Sequence, residues 1–332
     1  MKYVLCVGEM LIDFIPTTPI HSLEGSNSCY RPHPGGAPAN TAVAVARLGG
    51  ASRFLGKFSQ DVFGQLLMHV LQNNNVDIQY VRSTDEGATA LALVILQDDG
   101  QRQFSFYRHR TADTLLDVSD LDWNAWQDVA LCHACSITLS TEPSSTATLA
   151  AMDRTRQLNA LVSFDVNMRP AFWSSEQAMH SAMTEIVPRT DILKLSVEEA
   201  YLFDPALQFA TPEQGNVAQL YQLGEQLLHK GPRVVIITLG SKGALLMTAT
   251  SRVEVLTVPV RAIDTTGAGD AFMGAILYSL VKRGCASPSD LAHLSQDDLH
   301  QMGTFANRVA AISCTRYGGI EALPFMSEIE NV

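Results

Sequence analysis

Several things are scarce in this chain of 332 residues, and each scarcity narrows the reading. Charged residues make up only 17%, and Lys plus Arg number 23 against 34 for Asp plus Glu, a formal net charge of −11. That balance argues against binding a nucleic-acid backbone, which needs clustered basic surface. No apolar run approaches the roughly 18 residues that mark a transmembrane helix, so neither nucleic acid nor membrane is expected as a partner. The apolar start, Met1 to Gly8, is short and lacks a small-residue cleavage site. It reads as a first buried strand rather than a signal peptide, and a cytoplasmic location is expected. The phosphate-loop motif Gly-x-x-x-x-Gly-Lys-Ser/Thr is missing: Gly56-Lys57 is followed by Phe58 and lacks the first glycine. Cys132-His133-Ala134-Cys135 has no second ligand pair at matching spacing and lies in an apolar run. With Cys6, Cys29, Cys285 and Cys314 scattered, the cysteines read as reduced thiols, not as a metal or redox site.

What is present is ample apolar material, 46% of residues, in a recurring order. Short β-branched runs (Tyr3–Val7, Leu131–Ile137, Leu161–Val166, Asp191–Leu195, Val234–Leu239) alternate with amphipathic stretches (Ala39–Leu48, Ser144–Leu158, Val217–Leu228). This alternation predicts an α/β fold with a mostly parallel sheet and helices on both faces. Two regions break the rhythm. Phe14–Pro34 is rich in Pro, Ser and Thr, and Ala88–Arg110 alternates like a hairpin about Asp98-Asp99-Gly100. Both are read as strands of a small antiparallel β lid. The expected division is a main domain of residues 1–13, 35–87 and 111–332, with a lid of residues 14–34 and 88–110.

The most informative segment is Asp264-Thr265-Thr266-Gly267-Ala268-Gly269-Asp270-Ala271-Phe272, which follows a β-like run, Val253–Ile263, and opens an apolar helix, Ala271–Val281. Glycines at a helix N-terminus leave N–H groups aimed outward, and the helix dipole favours an anion there. The turn nevertheless ends in a carboxylate, Asp270, which would repel a statically bound phosphate. The conflict resolves if Asp270 accepts a proton from a hydroxyl attacking phosphorus, while the N–H groups of Gly267, Ala268 and Gly269 stabilise the developing charge. An ordinary glycine-rich turn with an aspartate cap is the alternative. A dinucleotide fingerprint fails, because Phe272 stands where the third small residue should pack.

With these residues in view, the chain resembles the ribokinase-like (PfkB) carbohydrate kinases nearly end to end, and within them most resembles bacterial fructokinases. Kinases of aminoimidazole riboside and 2-keto-3-deoxygluconate are near relatives. The motifs that carry the likeness occur in the family's order: Gly35-Gly36-Ala37-Pro38-Ala39-Asn40, Asp165-Val166-Asn167-Met168-Arg169-Pro170, Lys194-Leu195-Ser196-Val197-Glu198-Glu199, Thr238-Leu239-Gly240-Ser241-Lys242-Gly243, and the loop ending in Asp270.

The resemblance implies a ribokinase-like fold and ATP-dependent phosphorylation of a sugar hydroxyl, D-fructose to fructose 6-phosphate being the expected case. It places substrate contacts on Asp13, Gly35, Gly36, Asn40, Asn167 and Arg169, with Asn167 and Asp165 shaping the phosphate side; in the lid, Phe106, with Phe104 and Arg108, either closes over the sugar or packs in the core or a dimer. Nucleotide contacts fall on Lys194, Ser196, Glu199, Thr238, Gly240, Gly243 and Asn307, with Glu199 reaching Mg2+ through water; Ser196 departs from the family's usual asparagine. Backbone carbonyls of Ser313, Arg316 and Gly318, with Asp264 and Thr266, match positions that ring K+ in potassium-activated members. A homodimer through the lid is a further expectation. A Rossmann-type oxidoreductase and a catalytically silent sugar-binding regulatory protein are the readings from other classes.

Overall fold

The apolar runs become strands in chain order: β1 Tyr3–Val7, β2 Leu11–Pro16, β3 Tyr30–Gly35, β4 Ala51–Leu55, β5 Lys57–Ser59, β6 Arg82–Thr84, β7 Leu91–Leu96, β8 Arg102–Tyr107, β9 Val129–Cys135, β10 Leu161–Asp165, β11 Ile192–Ser196, β12 Val234–Thr238, β13 Ala244–Met247 and β14 Arg252–Val255. The helices are α1 Ala37–Arg47, α2 Val62–Asn73, α3 Ser144–Gln157, α4 Glu176–Ile186, α5 Val217–Leu228, α6 Ala268–Lys282, the single turn α7 Pro288–Leu291, and α8 Gln296–Ser313. These come from a computed structural model that describes residues 2–16, 29–96, 102–209 and 216–329. The expected hairpin tip at Asp98-Asp99-Gly100 and much of Phe14–Pro34 lie outside the described residues.

The main sheet has the order β14-β13-β12-β11-β10-β9-β1-β4. Its strands from β4 to β12 pair in parallel, and β13 and β14 add an antiparallel edge. Both faces are buried, so alternate residues of one strand enter different cores: Ile192 packs with α6 and α8, Leu193 and Leu195 with α4 and α5. The same alternation disposes of the cysteine pair. Three residues apart in β9, Cys132 faces the core of Leu5 and Trp126, while Cys135 lies beside His133 on the opposite face. Both are buried free thiols.

A second sheet, β3-β2-β7-β8, is antiparallel in its two outer pairs and parallel where β2 meets β7. It begins at Leu11, so the boundary expected after Asp13 falls inside β2 and places Asp13 on this sheet. The β-like run expected over Val253–Ile263 is strand only to Val255. Its partner runs out there: Ala244 pairs with Val255, and Gly243 turns away.

Gly243 marks that turn with φ 105°, and a Cβ on it would lie 1.9 Å from the Val255 carbonyl oxygen. Backbone, not a yielding side chain, occupies the space. Gly243→Ala should therefore destabilise the protein by about 2 kcal/mol or more. An unchanged midpoint in a urea titration would show that the turn can move.

Candidate active site

The carboxyl ends of β1, β9, β10, β11 and β12 share one edge of the parallel sheet, where such folds place ligands. The N-terminus of α6 meets this edge. Gly267 is the residue preceding the helix, in the left-handed region at φ 76°, and no side chain caps the first turn. A helix start without a side-chain cap keeps its first N–H groups for an outside acceptor. Asp270 follows in that first turn and is buried.

Two features tune Asp270. Burial raises its pKa from the ordinary aspartate value to about 6, opposed by the Asn40 hydrogen bond. The Asn40 amide Nδ2 donates to Asp270 Oδ2 at 2.7 Å. Asn40 thus orients the carboxylate, a role the sequence reading missed because 230 residues separate the pair. Its own Oδ1 is buried and has no hydrogen-bond partner within the described protein.

Asp13, Gly35 and Gly36 lie close together where β2 meets the end of β3. A Cβ on Gly35 would meet Asp13 Oδ2 at 2.4 Å, and one on Gly36 would meet the Glu9 carbonyl oxygen at 2.7 Å. Only glycine lets the two chain segments approach this closely. Burial pushes the Asp13 carboxyl up to about 7, with the charge of Arg169 opposing that rise. Arg169 acts on Asp270 in the same sense, so its guanidinium serves both carboxylates. The loop that carries it is strained: Asn167 has φ 34°, a region few non-glycine residues visit except Asn and Asp. Ser136 Oγ donates to its carbonyl at 3.2 Å, and Glu199 Oε1 accepts from the next N–H, Met168, at 2.6 Å.

The residues expected at the nucleotide make these contacts within the protein. Glu199 is a buried bridge, its second oxygen accepting from Ser196 N at 2.7 Å, so Ser196 and Glu199 cap a short turn after β11 and tie it to the Arg169 loop. Among the described residues no group of three His, Cys, Asp or Glu could hold a metal ion. Asn307 donates its Nδ2 to the carbonyls of Val255 and Leu256 at 3.0 and 3.1 Å, holding the segment after β14 against α8. Lys194 is buried with Asp165, the two residues facing each other across β11 and β10. Thr238 ends β12, and Gly240 and Gly243 bound the turn beyond it.

At the far side of the α6 turn, Asp264 accepts from Thr266 N at 2.9 Å and from Gly318 N at 3.0 Å. Ser313 O accepts from Arg316 N, and the Arg316 guanidinium pairs with Glu328. These contacts bring all five residues of the expected cation ring into one loop junction. On the second sheet, the rings of Phe106 and Phe172 lie 4.5 Å apart, and Arg108 Nε donates to Asp113 at 2.6 Å in a buried pair. The Phe104 side chain lies outside the described part. Sequence reasoning also passed over Glu9, fully buried, both its oxygens without a partner in the described protein, its pKa raised by burial to about 7. A charge inside the apolar run Cys6–Ile12 was the available signal.

A polar edge with a buried carboxylate behind an uncapped helix start finds close parallels. Residues 1–326 match the family described as pfkB family carbohydrate kinase. The chain belongs to that family. It is 38% identical to fructokinase-1 of Zea mays over 332 residues, covering 99% of this chain and 96% of the relative. It superposes on the crystal structure of a fructokinase with bound ATP from Xylella fastidiosa with a TM-score of 0.88 and 32% identity, covering 99% and 97% of the two chains. A fructokinase from Vibrio cholerae O395, solved with fructose, ADP and calcium, gives 0.82 and 32%, covering 100% and 98%. The kinase fold is thus shared end to end, and a Rossmann oxidoreductase is excluded.

The raised pKa of Asp270 sets a test. A base must be ionised to accept a proton, and a carboxyl held at about 6 loses that ability as pH falls through this value. In the wild type, kcat/KM should fall on the acid side with an apparent pKa near that of Asp270, about 6. Asp270→Asn should lower kcat by ~10²-fold or more, with ATP still bound. Near-wild-type turnover in the folded variant would remove Asp270 as the base.

Proposed function

We propose that this kinase transfers the γ-phosphoryl group of ATP to a neutral sugar, D-fructose, giving fructose 6-phosphate. The observation that carries the reading is Asp270, buried in the uncapped first turn of α6 and held by the Asn40 amide. Sugar sits between the second sheet, which acts as a lid, and the edge of the main sheet, its hydroxyls on Asp13, Asn40 and Arg169. As the primary hydroxyl oxygen bonds to the γ-phosphorus, its proton passes to Asp270, and the bond from phosphorus to the ADP oxygen breaks. N–H groups of Gly267, Ala268 and Gly269 receive the negative charge that gathers on the phosphoryl oxygens. Bound together with the nucleotide, Mg2+ would supply neutralisation of phosphate charge. Exclusion of water by the lid limits hydrolysis of ATP.

Charge favours a neutral polyol over a sugar acid. The carboxylates that act on Asp13 are Asp264, Glu321 and Asp270, and Arg169 is the opposing cation. Arg108, just after β8, donates to Asp113 and Ser140, with its Nη2 left without a partner in the described protein. A carboxylate substrate would meet repulsion there with little compensation. The names of the relatives described above agree with fructose.

Among fructose, ribose, glucose, 2-keto-3-deoxygluconate and aminoimidazole riboside, fructose should give the highest kcat/KM in an ADP-release assay. Any of the other four exceeding it tenfold would overturn the fructose assignment and leave the kinase intact.

We also propose a potassium site at the junction of Asp264, Thr266, Ser313, Arg316 and Gly318. Its donor set of carbonyl oxygens and one carboxylate suits a weakly hydrated monovalent ion, and the buried Asp264 ties the α6 turn to this loop. Turnover should be higher in potassium than in sodium or lithium at equal ionic strength. Identical rates after contaminating potassium is stripped would remove the assignment.

A further inference from the structure

The segment that follows α8 carries a contact with no part in the chemistry of Asp270. Glu321 lies in the short turn Ile320–Ala322, and its Oε1 is 3.2 Å from Nδ1 of His33 on β3. A carboxylate only accepts, so the imidazole Nδ1 carries the hydrogen. The pair joins residues 288 apart in sequence and ties the second sheet to the last part of the chain.

Both ends of this contact border residues proposed to hold the sugar. His33 is paired directly with Asp13 between β3 and β2, and directly opposed residues of an antiparallel pair stand on one face. Burial first, then the charges of Asp264, Glu321 and Asp270, raise the Asp13 carboxyl, which places Glu321 near it. Gly318 has φ 92°, and a Cβ there would lie 2.8 Å from Glu321 Oε2 and 3.2 Å from His33 Nδ1. A Cβ on Gly319 would meet Asn40 Nδ2 at 3.2 Å, and one on Gly267 would stand 3.3 Å from Gly319 Cα. One loop therefore touches β3, the Asn40 amide of α1 and the residue before α6.

The pair is poorly placed to stabilise the fold. Its side chains are 20% and 46% exposed, and an ion pair in water adds little. Its position gives it another value. Asp13 on β2 and Asn40 on α1 reach the same sugar from different layers. From β3 to α1 the chain crosses at Gly35-Gly36, and Gly36 sits at φ 113°. Glycine restricts backbone rotation least, so this crossing alone fixes the spacing of the two residues weakly. A second contact, two residues before Gly35, removes that freedom.

We propose that His33 and Glu321 are positioning residues for the sugar, their hydrogen bond holding Asp13 and Asn40 at the spacing one sugar molecule requires. This rests on reading Asp13 and Asn40 as the sugar contacts. Neither residue touches the reacting atoms. They reduce the ordering that sugar binding must otherwise impose, and they leave the transfer step to Asp270.

The test titrates fructose by calorimetry into wild type, His33→Ala, Glu321→Ala and the double variant, without nucleotide and at one potassium concentration. Steady-state kinetics with ATP accompany it. Each single variant should bind fructose ~5–10-fold more weakly and raise its KM to match, with kcat and KM for ATP within ~2-fold. The double variant should be no worse than either single one, because all three lack the same contact. Glu321→Gln keeps an acceptor for Nδ1 and should restore fructose binding to within ~2-fold. Thermal midpoints should move by less than ~2 °C, as expected for an exposed pair. Unchanged fructose binding in both single variants would make the pair a solvated surface contact and overturn the proposal. So would losses that multiply in the double variant, or equal losses for ATP and fructose. A wild type that binds no fructose would remove the reading of the sugar site and this inference together. If the wild type binds it and the variants bind it equally well, this inference alone falls.

Discussion

Concentrated negative charge is the constraint that organises this molecule. Asp13, Asp165, Glu199, Asp264 and Asp270 converge on one edge of the parallel sheet, and most of them are buried. Carboxylates in low dielectric repel one another and lose hydration, which is why burial raises Asp13 and Asp270. Each must be answered by a donor. Asn40 answers Asp270, Lys194 answers Asp165, and backbone N–H groups answer Glu199 and Asp264. The N-terminus of α6 adds its own positive potential.

Those answers also tie the elements together. Glu199, after β11, fixes the loop after β10 through Met168 N, and Asp264 joins the α6 turn to Gly318. Asn40 on α1 reaches α6. Charge compensation and the positioning of the reactive groups are therefore one set of contacts. A substitution there should change chemistry and stability together. Asn40 illustrates the point: one side of its amide holds the Asp270 carboxylate, and the other has no partner within the described protein.

Much of the frame was readable because local rules are strong where burial is two-sided. Val234–Thr238 and Tyr3–Val7 are continuous apolar runs with nowhere to go but a covered sheet. The glycines of the α6 turn and Gly35-Gly36 were readable because a sequence keeps glycine where backbones must approach closely. Reading failed where the partner strand decided the outcome. Val253–Ile263 has the composition of a strand throughout, yet stops at Val255 because β13 offers no further edge. The join of the two hairpins of the second sheet by a parallel β2–β7 pairing could not be foreseen either, since alternation fixes a strand's faces and not its neighbour's direction.

The site divides in the same way. The sequence by itself determined which chemistry was available: a carboxylate behind glycines at a helix start, and polar residues at the ends of apolar strands. Residue type and spacing express these directly. Only the tertiary structure decided who serves whom. Asn40 and Asp270 are 230 residues apart, and Lys194 and Asp165 are 29 apart on neighbouring strands. Asn307, on α8, holds the segment after β14 through the carbonyls of Val255 and Leu256. Hydrogen bonds of that reach depend on distance in space, which is set by how the strands order in the sheet and how α1, α6 and α8 pack on its face.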